Sequence, residues 1–313
     1  MPISLSTSWC SGRHKDGYEM VKEMADLGFE YVELSHGIRV SLVPGILQAV
    51  HENIVKVSSV HNFCPLPNGI QYPAPNLFRP SALSAQESHL WYRHTRRTLE
   101  FAERVKAPLV VTHLGNMTFG LFSPVNKLKA AREKARGDYL ENPRYQALLE
   151  KTRFKLRKRM PKFWAQVMKN VERIIPVAEE SGIKIGVENR EGLSELPLDD
   201  GFSDFFGDLS STKNVGYWHD AGHAQLKEQY GLIEHETLLR ENDSRLLGFH
   251  LHDVTPDGED HQAIGSGVID FDMMSKYMRP ERPLILEFSP ALTRDEVVES
   301  REFIEKLLAR PPG

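Results

Sequence analysis

Cysteine is almost missing from this chain: Cys10 and Cys64 are the only two in 313 residues. That rules out a disulfide framework, and their spacing does not suit a zinc site, so both are expected to pack as small apolar residues in a reducing compartment. Long hydrophobic runs are missing too. No stretch approaches the ~20 apolar residues that span a bilayer. The first residues, Met1 to Ser6, lack the basic and apolar blocks of a secretory leader. The expectation is a cytoplasmic protein with no membrane contact. Positive charge is in slight deficit, with 39 Lys and Arg against 43 Asp and Glu, so nothing draws the whole chain to nucleic acid or to an acidic surface. At 40% apolar and 26% charged residues the composition is that of an ordinary globular protein, of a length that one α/β barrel can fill.

What the chain does have is a repeated grammar of apolar, β-rich runs that end in a polar group. Ile183 to Val187 runs into Glu188-Asn189, Val215 to Trp218 into His219-Asp220, Leu246 to Phe249 into His250, and Pro283 to Leu286 into Glu287. Four earlier strands are expected at 3–9, 29–34, 54–60 and 108–112, with Glu33, His61 and His113 at or just past the ends of three of them. Helical periodicity falls between the strands, at 17–27, 41–50, 84–105, 163–180, 199–209, 222–240, 271–278 and 293–308. Asp16 is placed to cap the first helix and Gly28 to close it. Residues 62–82 carry five prolines and read as a long loop. Eight strands, nearly every one followed by a helix, close into a (β/α)8 barrel more readily than they form an open sheet. No linker divides residues 1–313, which are expected to form a single domain.

Residues 116–160 interrupt the rhythm as a helical insertion after the fourth strand. The stretch 127–162 holds thirteen Lys and Arg against four Asp and Glu, about +9, and leaves the rest of the chain at about −13. Its composition favours two helices with a break near Pro143. A solvated arm, including one through which copies of the chain associate, is the plainer reading of such a charge run. A lid over an anionic substrate is the alternative.

In a barrel of this kind the βα loops converge at the C-terminal rim, so polar strand ends meet there. A single histidine in such a place means little, but carboxylates crowded on one rim need a cation between them. Glu188, Asp220, His250 and Glu287 are therefore expected to hold a divalent metal, and oxygen donors with an imidazole suit Mn, Mg, Co or Zn.

These residues also carry a family resemblance. Glu188-Asn189, Asp220-Ala-Gly-His223, His250-Leu-His-Asp253, His261-Gln-Ala-Ile264-Gly265-Ser-Gly267-Val-Ile-Asp270-Phe271 and Leu286-Glu287 resemble, in that order, the xylose-isomerase-like TIM-barrel superfamily. That superfamily unites sugar isomerases and epimerases, myo-inosose dehydratases and nucleases of the endonuclease IV type. The resemblance implies one divalent metal on Glu188, Asp220, His250 and Glu287. In the epimerase branch it also implies an acid/base pair of Glu188 and Glu287. The nuclease branch uses a three-metal cluster with further histidines, and His61, His113, His223 and His261 are candidates for these, or for contacts to substrate. Glu259 stands where the nuclease pattern expects an aspartate.

Glu33 is expected either to bind a substrate hydroxyl or to form a salt bridge within the barrel, and Asn189 either to bind substrate or to support a ligand. Trp9, Phe119, Phe122 and Trp218 either form an apolar wall for a sugar ring or pack in the core. Arg190 and Glu191 receive no role beyond the rim. The resulting expectation is a divalent-metal-dependent isomerase, epimerase or related lyase acting on a sugar, sugar phosphate, keto-sugar or cyclitol. A multi-metal phosphodiesterase acting on abasic DNA is the alternative, disfavoured because the chain outside the insertion is acidic. A barrel that keeps its metal without catalysis is the third reading.

Overall fold

A computed structural model describes residues 3–120, 123–135 and 137–310; the expectation for Phe122 lies outside them. Eight parallel strands close into a barrel in sequence order, with the first strand paired to the eighth. They are β1 (Ile3–Ser6), β2 (Tyr31–Leu34), β3 (Lys56–His61), β4 (Leu109–Thr112), β5 (Lys184–Glu188), β6 (Val215–Asp220), β7 (Leu246–Leu251) and β8 (Leu284–Leu286). Closure is direct: Ile3, Ser4 and Leu5 pair in register with Leu284, Ile285 and Leu286. The fold is a (β/α)8 TIM barrel. No helix among the described residues is long and apolar enough to cross a membrane.

The helices begin where local chemistry starts them. Asp16 accepts from the backbone N–H of Tyr18 and Glu19 and opens α1 (Gly17–Asp26). After α2 (Val43–His51), Ser84 caps α3 (Ala85–Arg104). The prolines at 143 and 161 sit in the first turns of α5 (Pro143–Arg159) and α6 (Pro161–Glu180), where a missing N–H costs nothing. Between β4 and β5 the chain therefore forms three helices, α4 (Pro124–Lys134), α5 and α6. The others are α7 (Phe202–Asp208), α8 (Ala221–Gln229), α9 (His235–Asn242), α10 (Phe271–Ser275) and α11 (Arg294–Leu308), the last opened by a reciprocal Thr293–Glu296 capping box. Pro176 stays inside α6 without ending it. The first strand is shorter than its alternating pattern suggested. The Ser6 hydroxyl accepts from the Ser8 N–H and turns residues Thr7–Trp9 into a 3-10 turn.

Two of these helices are basic, yet they do not stand free. Tyr145, Leu149, Thr152 and Leu156 of α5 are buried. Arg153 donates to the carbonyls of Gly231 and Leu232 at 2.7 and 3.0 Å, and Arg157 pairs with Asp200. Part of the charge run is thus spent on barrel carbonyls and carboxylates.

Inside the barrel, Leu109, Val111, Trp218 and Ile285 form an apolar plug. Trp218 has room because Gly248 faces it: a Cβ there would lie 2.4 Å from the indole. Burying a large aromatic side chain is worth about 2–3 kcal/mol. Trp218 is fully buried, with its ring 5.1 Å from that of His250, so it is the floor beneath the rim and not a wall for a sugar. Strand periodicity then does the positioning. Two residues beyond Trp218, Ile285 and Val111 on the same strand faces come Asp220, Glu287 and His113, a polar layer stacked on an apolar one.

Candidate metal centre

Glu188 ends β5, Asp220 ends β6, His250 lies one residue from the end of β7, and Glu287 follows β8. Asp220 and His250 are register partners. One ligand atom from each of the four lies within 4.8 Å of all the others. The focus is His250 Nδ1, 3.1 Å from Glu188 Oε1, 3.0 Å from Glu287 Oε2 and 3.8 Å from Asp220 Oδ2. Three carboxylates at one buried point repel one another unless a cation or proton joins them. The donor set, three carboxylates and one imidazole, fits a hard or borderline divalent ion.

The supports are as specific as the quartet. His250 Nε2 donates to Glu33 at 3.0 and 3.1 Å, which turns Nδ1 toward the quartet. Glu33 is itself held by the hydroxyls of Ser6 and Ser59, at 3.0 and 2.7 Å. Glu33 is fully buried behind His250, so of its two expected roles the ion pair within the barrel is the one the structure contains. Asn189 likewise takes the supporting role. Its amide nitrogen donates to the Asp220 carbonyl at 2.9 Å, while its oxygen accepts from the Asp220 N–H at 2.8 Å and from Tyr217 at 3.1 Å. Both ends of the amide thus hold β6, the oxygen accepting twice and the nitrogen donating to the Asp220 carbonyl.

His252, which the sequence reading left without a role, holds Asp220 from the other side. The His261 backbone N–H donates to His252 Nδ1 at 2.9 Å, so the ring proton sits on Nε2, 3.2 Å from Asp220 Oδ1. The ring needs the bare face of Gly222, where an added Cβ would stand 2.0 Å from His252 Cε1. Gly222→Ala should displace His252 and weaken divalent-metal affinity about tenfold or more, read by calorimetric titration. Unchanged affinity would show that His252 does not hold Asp220.

The additional candidate ligands separate into two groups. His61 and His113 converge on the second oxygen of Glu188, with Nε2 atoms at 3.4 and 2.7 Å, and the three form a further set with ligand atoms within 4.8 Å. His223 joins Glu191 and Asp260 in another. Glu259 does not take part: it is exposed, and Asp260 stands in the place expected of it. His261 lies flat on His252, ring centroids 4.2 Å apart, and pairs with Asp260 at 3.1 Å. Burial alone would depress its pKa, but the hydrogen bond to Asp260 and the nearby carboxylates raise it to about 9.

Arg190, read from sequence as a rim residue, is buried against the centre, 3.1 Å from Glu188 Oε2 and 3.3 Å from Glu195 Oε1. Only its position two residues past a ligand could have flagged it. Burial pushes the Glu188 pKa up, but Arg190, His113 and His250 hold it well below the usual carboxylate range. His113, desolvated and facing Arg190, falls to about 3 and is neutral.

His250 moves the other way. Burial lowers its pKa, but Glu287, Glu33 and Glu188 raise it well above the ordinary value. A raised folded pKa stabilises the metal-free fold at low pH, and that contribution fades as pH climbs through it. A divalent ion must displace this proton, so metal affinity should rise about tenfold per unit between about pH 6 and 8, with release of about one proton. Calorimetry in buffers of different ionisation enthalpy measures that release; affinity flat across the interval would remove the proton from His250.

The chain is a closed (β/α)8 barrel whose strand ends gather carboxylates and imidazoles at one rim, a candidate metal site. The chain belongs to the xylose isomerase-like TIM-barrel family, whose model matches residues 21–307. No curated protein sequence matches it. Solved structures similar in fold include a D-tagatose 3-epimerase-like protein at 17% identity and TM-score 0.67, the match covering 98% of this chain and 97% of the other. A D-psicose 3-epimerase from Clostridium cellulolyticum H10 shares 12% identity at TM-score 0.67, over 98% and 99% of the two chains. The 3-keto-D-glucoside 4-epimerase of E. coli shares 13% at TM-score 0.66, again over 98% and 99%.

Proposed function

We propose that this protein is a divalent-metal-dependent isomerase or epimerase of a sugar or keto-sugar, working by proton transfer at the carbon beside a carbonyl. The observation that carries this reading is the convergence of Glu188 and Glu287, from β5 and β8, on one centre with Asp220 and His250. When bound, the divalent ion would be held by these four residues and would polarise the substrate carbonyl, acidifying the neighbouring C–H. The rest falls to side chains. Glu188 is crowded by His61, His113 and Arg190, which keep it anionic, whereas among the described residues Glu287 makes one ion pair, with His250. Glu287 is accordingly the residue that takes the proton, and Glu188 faces the carbon from the other wall. Inversion needs a proton delivered from the opposite wall, which the anionic Glu188 must first take up from solvent water; return of the original proton by Glu287 to the neighbouring carbon isomerises the sugar. Fold similarity to two sugar epimerases and an epimerase-like protein supports the substrate class as an analogy.

The test is incubation of the metal-loaded protein with ketopentoses, ketohexoses and keto-glycosides in deuterated water. Proton NMR should show deuterium entering one carbon next to a carbonyl. Cleavage of an abasic-site duplex without such exchange would replace this reading with the phosphodiesterase.

A further inference from the structure

Arg190 does more than line the rim. Its Nη1 lies 3.1 Å from Glu188 Oε2 and 3.1 Å from His223 Nδ1, and its Nε lies 3.3 Å from Glu195 Oε1. Glu195 is fixed in turn by the Gly192 N–H at 2.9 Å and the Asn76 amide at 3.4 Å. The guanidinium is thus more than nine-tenths buried and tethered at both ends.

The oxygen it touches is the one that His61 and His113 face. His61 Nδ1 lies 2.9 Å from the Asn62 carbonyl and His113 Nδ1 3.1 Å from Asn76 Oδ1, which leaves both rings with Nε2 aimed at the same Glu188 oxygen, at 3.4 and 2.7 Å. Two imidazoles and a carboxylate with ligand atoms gathered within 4.8 Å make a second candidate metal set beside the quartet. Arg190 is the cation in contact with it. On the other side, Arg190 Nη1 reaches His223 Nδ1, which also lies 3.1 Å from the Asn189 carbonyl.

We propose that Arg190 is a built-in second cation: it takes the place of a metal beside His61, His113 and Glu188, and the centre loads a single divalent ion on the quartet. The proposal rests on the metal reading above and sharpens its substrate class. A guanidinium neutralises and orients a substrate oxyanion, but unlike a second divalent ion it does not acidify bound water into a nucleophile. The occupant it suits is a polyhydroxy carbonyl compound whose oxyanion develops during proton transfer, and not a phosphodiester awaiting hydroxide.

The experiment is Mn(II) titration of the full chain after chelator treatment, followed by elemental analysis and electron paramagnetic resonance. Wild type should take up one ion per chain with an isolated Mn(II) signal. Arg190→Met and Arg190→Gln, which remove the charge, should take up two, coupled through the shared Glu188 carboxylate. Arg190→Lys, which keeps the charge, should stay at one. Two ions in wild type, or one ion in a folded neutral variant, would overturn the role of Arg190 while leaving the quartet standing. A wild-type chain that binds no ion would overturn both.

Discussion

Glu287→Gln should lower turnover about a thousandfold, with the fold intact by circular dichroism. General acid–base catalysis by one positioned side chain contributes about 10²–10⁴-fold. Glu287 also supplies one of the three negative charges around His250 Nδ1, so an amide there weakens the hold on the metal as well. The two losses are separable. Metal saturation restores the second and not the first, so kcat stays low at any metal concentration. Asymmetry is expected besides. Glu188→Gln leaves a neutral amide facing His61, His113 and the Arg190 guanidinium, and should lose metal more severely than Glu287→Gln does. Solvent deuterium exchange into the product, followed at saturating metal, is the direct measurement. A Glu287→Gln protein that exchanges at more than a tenth of the wild-type rate would take Glu287 out of the chemistry.

The largest effect on stability should come from a residue outside the quartet. Asp253, just past β7, is buried and accepts four backbone hydrogen bonds. Oδ1 takes the N–H groups of Val254 and Ile269 at 2.8 and 3.1 Å, and Oδ2 those of Gly265 and Gly267, both at 2.9 Å. Its own backbone pairs in both directions with Gln262. This one carboxylate gathers the long β7–α10 loop into the shape that carries Asp260 and His261. Gly267 can be nothing larger, since a Cβ there would lie 2.2 Å from the Val254 carbonyl. Asp253→Ala strands four donors, of which two or three are left without water, at about 1–3 kcal/mol each. The expected loss is about 4 kcal/mol, or roughly 6 °C in melting midpoint at about 2.1 cal/mol/K per residue. Asp253→Asn should recover little, because its NH2 would point at two N–H groups. Calorimetric melting checks the magnitude, and amide exchange at Gly265 and Gly267 checks the cause. A midpoint within a degree of wild type would mean that the loop is held by something else.

The strands were legible in the sequence because each is a short apolar run ending in a polar group, a pattern that depends only on neighbours along the chain. The quartet followed from it, since equivalent positions on successive strands meet at one rim. Contacts between distant residues were not legible. Nothing in the run Val187 to Glu191 marks Arg190 as buried; that depends on Glu195, His223 and an oxygen of Glu188 arriving around it. For Glu33 and Asn189 the sequence left substrate contact and structural support open, and only the fold shows Ser6, Ser59 and the Asp220 backbone meeting their polar atoms. For Trp218 the sequence left sugar wall and core equally open. The glycine at 248 that lets it fill the barrel is a neighbour only in the folded chain.

All four residues of the quartet come from β5 to β8, on consecutive strands. The strands β1 to β4 send only buttresses to it, among them Glu33, His61 and His113. The loops that follow β1 to β3, including the proline-rich stretch 62–82, supply no quartet ligand. Such a barrel divides inheritance from adaptation. One half supplies the candidate ligands, while loops of the other half can be exchanged without removing any of them. An engineer wishing to redirect this protein would graft into the first half and leave the second alone.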